Sequence, residues 1–166
     1  MNLVKTMTLA AIAVGCMGTT AMAADLMQPP PMSDPVVSGW DGFYAGLTGA
    51  AWFQGTVYPG LGVRLGGNWT SGSVLFGVQG DVRYYLNSGN FGGELAGRLG
   101  YILNDTAVIY GKLGVGGLSN GSRYIPIGAG VEFKVTDSMS VDLTGEYLAG
   151  SGFSATQFGA SLNWHF

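Results

Sequence analysis

From Gly42 to the last residue, apolar side chains fall on every second position of the chain. "SVLFGVQGDVRYYL" places Val74, Phe76, Val78, Val82, Tyr84 and Leu86 on one parity, with Gly80 among them. The other parity carries Ser73, Leu75, Gly77, Gln79, Asp81, Arg83 and Tyr85. "GGELAGRLGYIL" alternates Leu95, Leu99, Tyr101 and Leu103 with Glu94, Ala96, Arg98 and Gly100. "SVDLTGEYLA" alternates Val141, Leu143 and Tyr147 with Asp142, Thr144 and Glu146. A repeat of two is the mark of a strand whose faces meet different surroundings. Such segments run over about 42–53, 60–70, 73–86, 91–103, 107–118, 124–135, 139–149 and 154–166. The stretches between them ("QGTVYP", "TSGS", "NSGN", "ND", "SNGS", "TDS" and "GSG") are rich in turn formers. The expected fold is all-β: an eight-stranded antiparallel up-and-down barrel.

Two barrels share that strand number and are inside-out versions of each other. A soluble, lipocalin-like barrel turns its apolar face inward, whereas a transmembrane barrel turns it toward lipid. The polar parity separates them. It holds Arg64, Arg83, Arg98, Lys112 and Lys134 with Asp81, Glu94, Glu132, Asp142 and Glu146, among residues that are mostly Gly, Ser, Thr, Ala, Asn and Gln. A surface in water would carry more charge and has no need of small residues. A narrow eight-stranded lumen needs them, because side chains only just fill it. Opposite charges in balance are also what a poorly solvated interior demands. These ten side chains are therefore expected to form an interior network, and the barrel is expected to be transmembrane.

Composition agrees: the chain is 47% hydrophobic and 10% charged, against about 25% charged in a soluble domain. No stretch beyond residue 24 holds the run of apolar residues that a spanning helix requires. A net charge of −3, with no cluster of Lys or Arg, argues against a nucleic-acid partner.

The first 23 residues read differently. Lys5 precedes an apolar run that closes on Ala21-Met22-Ala23, the small-x-small pattern of a secretory signal peptide. Cleavage is expected between Ala23 and Ala24. The chain's one cysteine, Cys16, lies inside this leader, and Ala13 stands where a lipoprotein signal usually has Leu. Disulfides and thiol chemistry are thereby removed from the mature protein. Residues 24–39 hold four of the prolines and read as an extended linker, with the barrel domain at 40–166.

Candidate chemistry is sparse. His165 is the sole histidine, one residue from the C-terminus on the inward parity, and reads as a packed rim residue. One histidine and no mature cysteine supply no metal site. Glu94, Glu132, Asp142 and Glu146 share their face with cations, so ion pairing is favoured over acid–base catalysis. "GNFGGELAG" and "GKLGVGG" lack the spacing of a phosphate-binding loop. Tyr84, Tyr101, Tyr110, Tyr147, Trp69 and Trp164 read as girdle residues at the membrane interfaces. No enzyme activity and no cofactor is expected.

Two stretches carry a family resemblance. "WDGFYAGLTGAAW" (Trp40 to Trp52) resembles the opening strand of the opacity-like porins, small outer-membrane barrels of the alphaproteobacterial type, and "LFGVQGDVRYY" resembles their third strand. The resemblance runs through 40–166. It implies the outer membrane of a Gram-negative cell, contact with its lipid and lipopolysaccharide, and periplasmic linker and C-terminus. Some family members are linked to haem binding, but no residue here stands out as an axial ligand. The closing "FGASLNWHF" resembles the signal that the barrel-assembly machinery reads in such proteins, with Phe158, Leu162, Trp164 and the terminal Phe166 on the apolar parity. The new N-terminus, Ala24-Asp25, resembles that of related barrels joined through their amine to peptidoglycan, which makes Ala24 a candidate attachment point. The family's outward loops are often long, whereas the four candidates here, near 54–59, 87–90, 119–123 and 150–153, are short. That weighs against adhesin or receptor roles, which reside in loops. A structural envelope barrel is the favoured reading, and a narrow channel for ions or small solutes is the alternative.

Overall fold

The computed structural model describes residues 39–166. The expected leader and nearly all of the expected linker, with Ala23 and Ala24, lie outside the described residues. Eight strands follow in order: β1 (Gly42–Gln54), β2 (Thr56–Ser71), β3 (Val74–Tyr85), β4 (Asn90–Asn104), β5 (Ala107–Leu118), β6 (Arg123–Thr136), β7 (Met139–Gly150) and β8 (Phe153–His165). Each pairs antiparallel with its neighbours in sequence, and β1 pairs with β8, so the sheet is a closed barrel. The shortest strands have 12 residues. At ~3.3 Å per residue and a tilt of roughly 45°, that length covers about 28 Å, close to the hydrocarbon thickness of a bilayer.

Closure extends to the last residue. Leu47 pairs with Leu162 and Tyr44 with His165. Beyond the end of β8, Phe166 and Phe43 still exchange backbone hydrogen bonds of 3.0 and 3.2 Å. A sheet closed on itself leaves no edge strand for another chain to join.

One boundary differs from the sequence expectation. Residues 56–59 belong to β2 and not to a loop, because Gly55 alone, at φ 72°, makes the reversal. Trp52 pairs with Tyr58 and Ala51 with Pro59. Pro59 reads as a strand breaker, but its nitrogen faces β3 just where that strand ends, so its missing N–H interrupts little.

The two faces of the wall are distinct. Leu61, Leu95, Leu99, Leu113, Val115 and Ile127 point outward and are 54–64% exposed. Trp69, Tyr101 and Trp164 lie outward near the end that carries the termini, and Tyr84 and Tyr147 near the far end. Inward lie two apolar groups: Trp40, Leu75, Val108 and Tyr110 toward the terminal end, and Trp52, Tyr85, Tyr124, Leu148 and Ala155 toward the far end.

Candidate functional site

Between the two apolar groups the lumen holds one continuous chain of charges of alternating sign. Glu146 Oε1 lies 2.9 Å from Lys112 Nζ, which also meets Glu94 Oε1 at 2.5 Å. Glu94 Oε2 is 3.5 Å from Arg83 Nη1, and Arg83 Nη2 is 3.0 Å from Asp81 Oδ1. Arg64 then links Asp81 (2.8 Å) to Asp142 (3.2 Å). Arg98 Nη2 closes the series, 3.8 Å from Asp142 and 2.7 Å from Glu132. The chain begins and ends on a carboxylate, and every member is buried. In such a medium each ion depends on its neighbours, because burial keeps bulk water from replacing them.

Neutral groups complete the coordination. Gln79 Nε2 donates to Asp81 (3.0 Å), Asn163 Nδ2 donates to Glu132 (2.9 Å), and Tyr110 Oη donates to Asp142 (2.6 Å). Arg98 Nη1 donates to Tyr44 Oη at 2.8 Å, and its guanidinium lies 3.8 Å over the Tyr110 ring. A planar guanidinium suits both contacts, which an ammonium could not make together. Glycines clear the space for these rings. A Cβ at Gly66 would strike the Tyr44 ring, and one at Gly130 would strike Tyr110.

Nine of the ten charges singled out by parity meet in this chain: Arg64, Asp81, Arg83, Glu94, Arg98, Lys112, Glu132, Asp142 and Glu146. Lys134 does not. It sits at the terminal rim, where Nζ donates to the Gly39 carbonyl at 2.5 Å and lies 5.0 Å over the Trp40 ring. Lys134 keeps the inward parity, paired in register with buried Ser140, but it lies one inward position nearer the rim than Glu132 and is out of reach of the charge chain. Tyr110 is a second correction. It is buried against Arg98 and Asp142 and is not an interfacial girdle residue, since it lies on the inward parity of β5 beside Val108 and Lys112. Sequence reasoning misses the neutral partners Tyr44 and Asn163, for which parity is the one available signal, and places Gln79 on the polar parity without its role.

At the terminal end Ser140, His165 and Glu132 come together. Ser140 Oγ lies 2.8 Å from His165 Nε2 and donates to Glu132 Oε1, which is itself 3.3 Å from the same histidine nitrogen. A nucleophilic triad needs the acid on one imidazole nitrogen and the hydroxyl on the other. Here both contacts fall on Nε2. Ser140 is fully buried, and the imidazole packs against Tyr44 and edge-on to Trp40. The trio is an anchor for Glu132, with no room for a substrate. Among the described residues no group of His, Cys, Asp and Glu has the arrangement of a metal site.

No family model matches the chain, and no curated protein matches it in sequence. Solved structures do match. The N-terminal β-barrel domain of Pseudomonas aeruginosa OprF aligns over 76% of this chain and 99% of that one, with a TM-score of 0.56 and 12% identity. Ail, the attachment invasion locus protein of Yersinia pestis, aligns over 76% and 97%, at a TM-score of 0.54 and 14% identity. The outer-membrane enzyme PagL aligns over 73% and 99%, at 0.51 and 17%. The fold is that of a transmembrane β-barrel. At these identities the likeness concerns the fold and not the function. Proteins with quite different roles share it, so the lumen and the ends must carry the functional argument.

The C-terminal residues Phe158, Trp164 and Phe166 are exposed on the outer face, with Leu162 partly covered between them. The far-end turns are short, the first shorter than the sequence suggests: Gly55 alone, then 86–89, 119–122 and 151–152.

Proposed function

We propose that this protein is a closed structural barrel of the outer membrane that contributes to envelope integrity and does not conduct. The observation that carries this reading is the alternating charge chain from Glu146 to Glu132, sealed by an apolar group at each end. An ion entering such a lumen would have to break pairs whose members are buried from bulk water. Short turns leave little surface for recognition outside the cell.

Charge at the two ends supports a periplasmic location for the termini. Asp41, Asp105 and Asp137 cluster at the terminal end, while the far-end turns carry no acid and lie beside Arg123. An acid-free end suits a leaflet of phosphate-bearing lipopolysaccharide. In this orientation a linker of residues 24–39 would leave the barrel on the side of the cell wall. At ~3.1 Å per residue a Pro-rich stretch of that length could reach roughly 50 Å, which would suit a covalent tether through the Ala24 amine to peptidoglycan. The barrel-assembly machinery would read Phe158, Leu162, Trp164 and Phe166.

Single-channel recording in a planar bilayer tests the closed state. The expected trace is silent, and steady unitary conductance would replace the structural reading with a narrow ion or solute channel. Mass spectrometry of muramidase-digested sacculi tests the tether separately: Ala24 should carry a muropeptide, and only free Ala24 termini would remove it.

A further inference from the structure

Most irregularities of the barrel fall near strand ends, but the seam between β5 and β6 is broken well inside the wall. The strands pair from Ala107 with Phe133 as far as Leu113 with Ile127, then again at Gly116 with Tyr124 and Gly117 with Arg123. The register is the same on both sides of the gap. Continued through it, Gly114 would face Pro126 and Val115 would face Ile125.

Backbone polarity explains the break. Leu118 N–H donates to Ser122 O at 2.8 Å, and Lys134 N–H donates to Thr106 O at 2.9 Å. Even-numbered residues of both strands therefore turn their N–H and C=O groups to this seam. Pro126 is one of them, so its missing N–H is lost from the β5–β6 ladder and not from β6–β7. Side chains do little to close the gap, because Gly114 and Gly116 line β5 there and Pro126 and Gly128 line β6 on the inner side. Three contacts hold it from within. The Tyr124 ring lies against Gly116, the Tyr124 hydroxyl donates to the Gly93 carbonyl on β4 at 3.4 Å, and Lys112 reaches past β6 to Glu146 on β7 while also holding Glu94 on β4.

We infer that the barrel wall opens laterally to the bilayer between β5 and β6 on the far side of Lys112. Pro126 supplies the defect, and the Lys112–Glu146 pair is the latch. An opening there joins the lipid phase to the aromatic end of the lumen around Trp52, Tyr85, Tyr124 and Leu148, while the charge chain from Glu94 to Glu132 stays sealed.

Amide hydrogen exchange of the 15N-labelled folded protein in phospholipid nanodiscs tests this with a built-in control. Amides of Gly116 and Tyr124 are bonded across the seam, whereas those of Leu113, Val115 and Gly117 face β4 at the same height. The seam amides should exchange about tenfold faster than the control amides, as local opening requires. Pro126→Val returns the donor in a side chain of similar size, and should bring the two sets within about twofold. The paired change Lys112→Gln with Glu146→Gln removes the latch without changing net charge, and should widen the difference. If Gly114 alone exchanges fast, the defect is static and the inference fails. It also fails if both sets are equally protected, or if Pro126→Val leaves the difference in place.

Discussion

The inner and outer faces of this wall are built from the same strands by opposite rules. Outside, Leu61, Leu95, Leu113 and Ile127 need only be apolar, since lipid accepts any of them in many conformations. Inside, each residue has named partners: Arg98 requires Glu132, Tyr44 and the Tyr110 ring at once. The outer face tells the chain where to sit, and the inner face decides which single barrel it becomes. Identity should therefore matter inside, and polarity alone should matter outside.

The largest effect should come from breaking the inner rule. Arg98→Met leaves Glu132 and Asp142 short of a cation in a dry interior, and should cost about 3–5 kcal/mol in urea unfolding of the detergent-folded barrel. Adding Glu132→Gln should recover part of that loss. If the single and paired variants unfold alike, the interior is wetter than the geometry implies. Arg98 and Glu94 belong to opposite halves of the charge chain and share no direct partner, so their replacements should couple more weakly than those of Arg98 and Glu132.

On the outer face a charge should hurt where a change of shape does not. Leu113 lies mid-strand and 58% exposed, and Leu113→Arg should cost about 2–4 kcal/mol in lipid vesicles. Deleting Phe166 removes its backbone bonds to Phe43 and an outward aromatic group, so less protein should reach the outer membrane. His165→Asn should accumulate more nearly as wild type, and equal levels of the deletion and wild type would count against a C-terminal assembly signal. The smallest effect belongs to Leu113→Val, which should stay within about 0.5 kcal/mol of wild type. A larger loss would mean that the outer face is also specified residue by residue.

Much of this architecture can be read from parity. Strands that are half lipid-facing and half lumen-facing must alternate strictly, so Val74 to Tyr85 and Phe153 to His165 announce their faces without reference to any partner. Parity is silent on height and on turn length. Lys134 keeps the inward parity but lies at the terminal rim, beyond reach of the charge chain, and Gly55 reverses the chain in a single residue where the sequence predicts a six-residue turn.

The amino-acid sequence by itself determined the strand number, the two faces and the set of charges that must share the lumen. Those depend on local alternation and on turn chemistry. The tertiary structure alone decided which charges meet. Arg98 and Glu132 are 34 residues apart, and Tyr85 and Gln157 are 72 apart. Their heights in the lumen follow from stagger accumulated around the whole closed sheet. It also decided that Tyr110 lies under a guanidinium, that Ser140 and His165 together hold Glu132, and that the N–H missing at Pro126 falls on the seam with β5. A period of two reports which side of a strand a residue occupies, but carries no information about height across a lumen that forms only when the last strand meets the first.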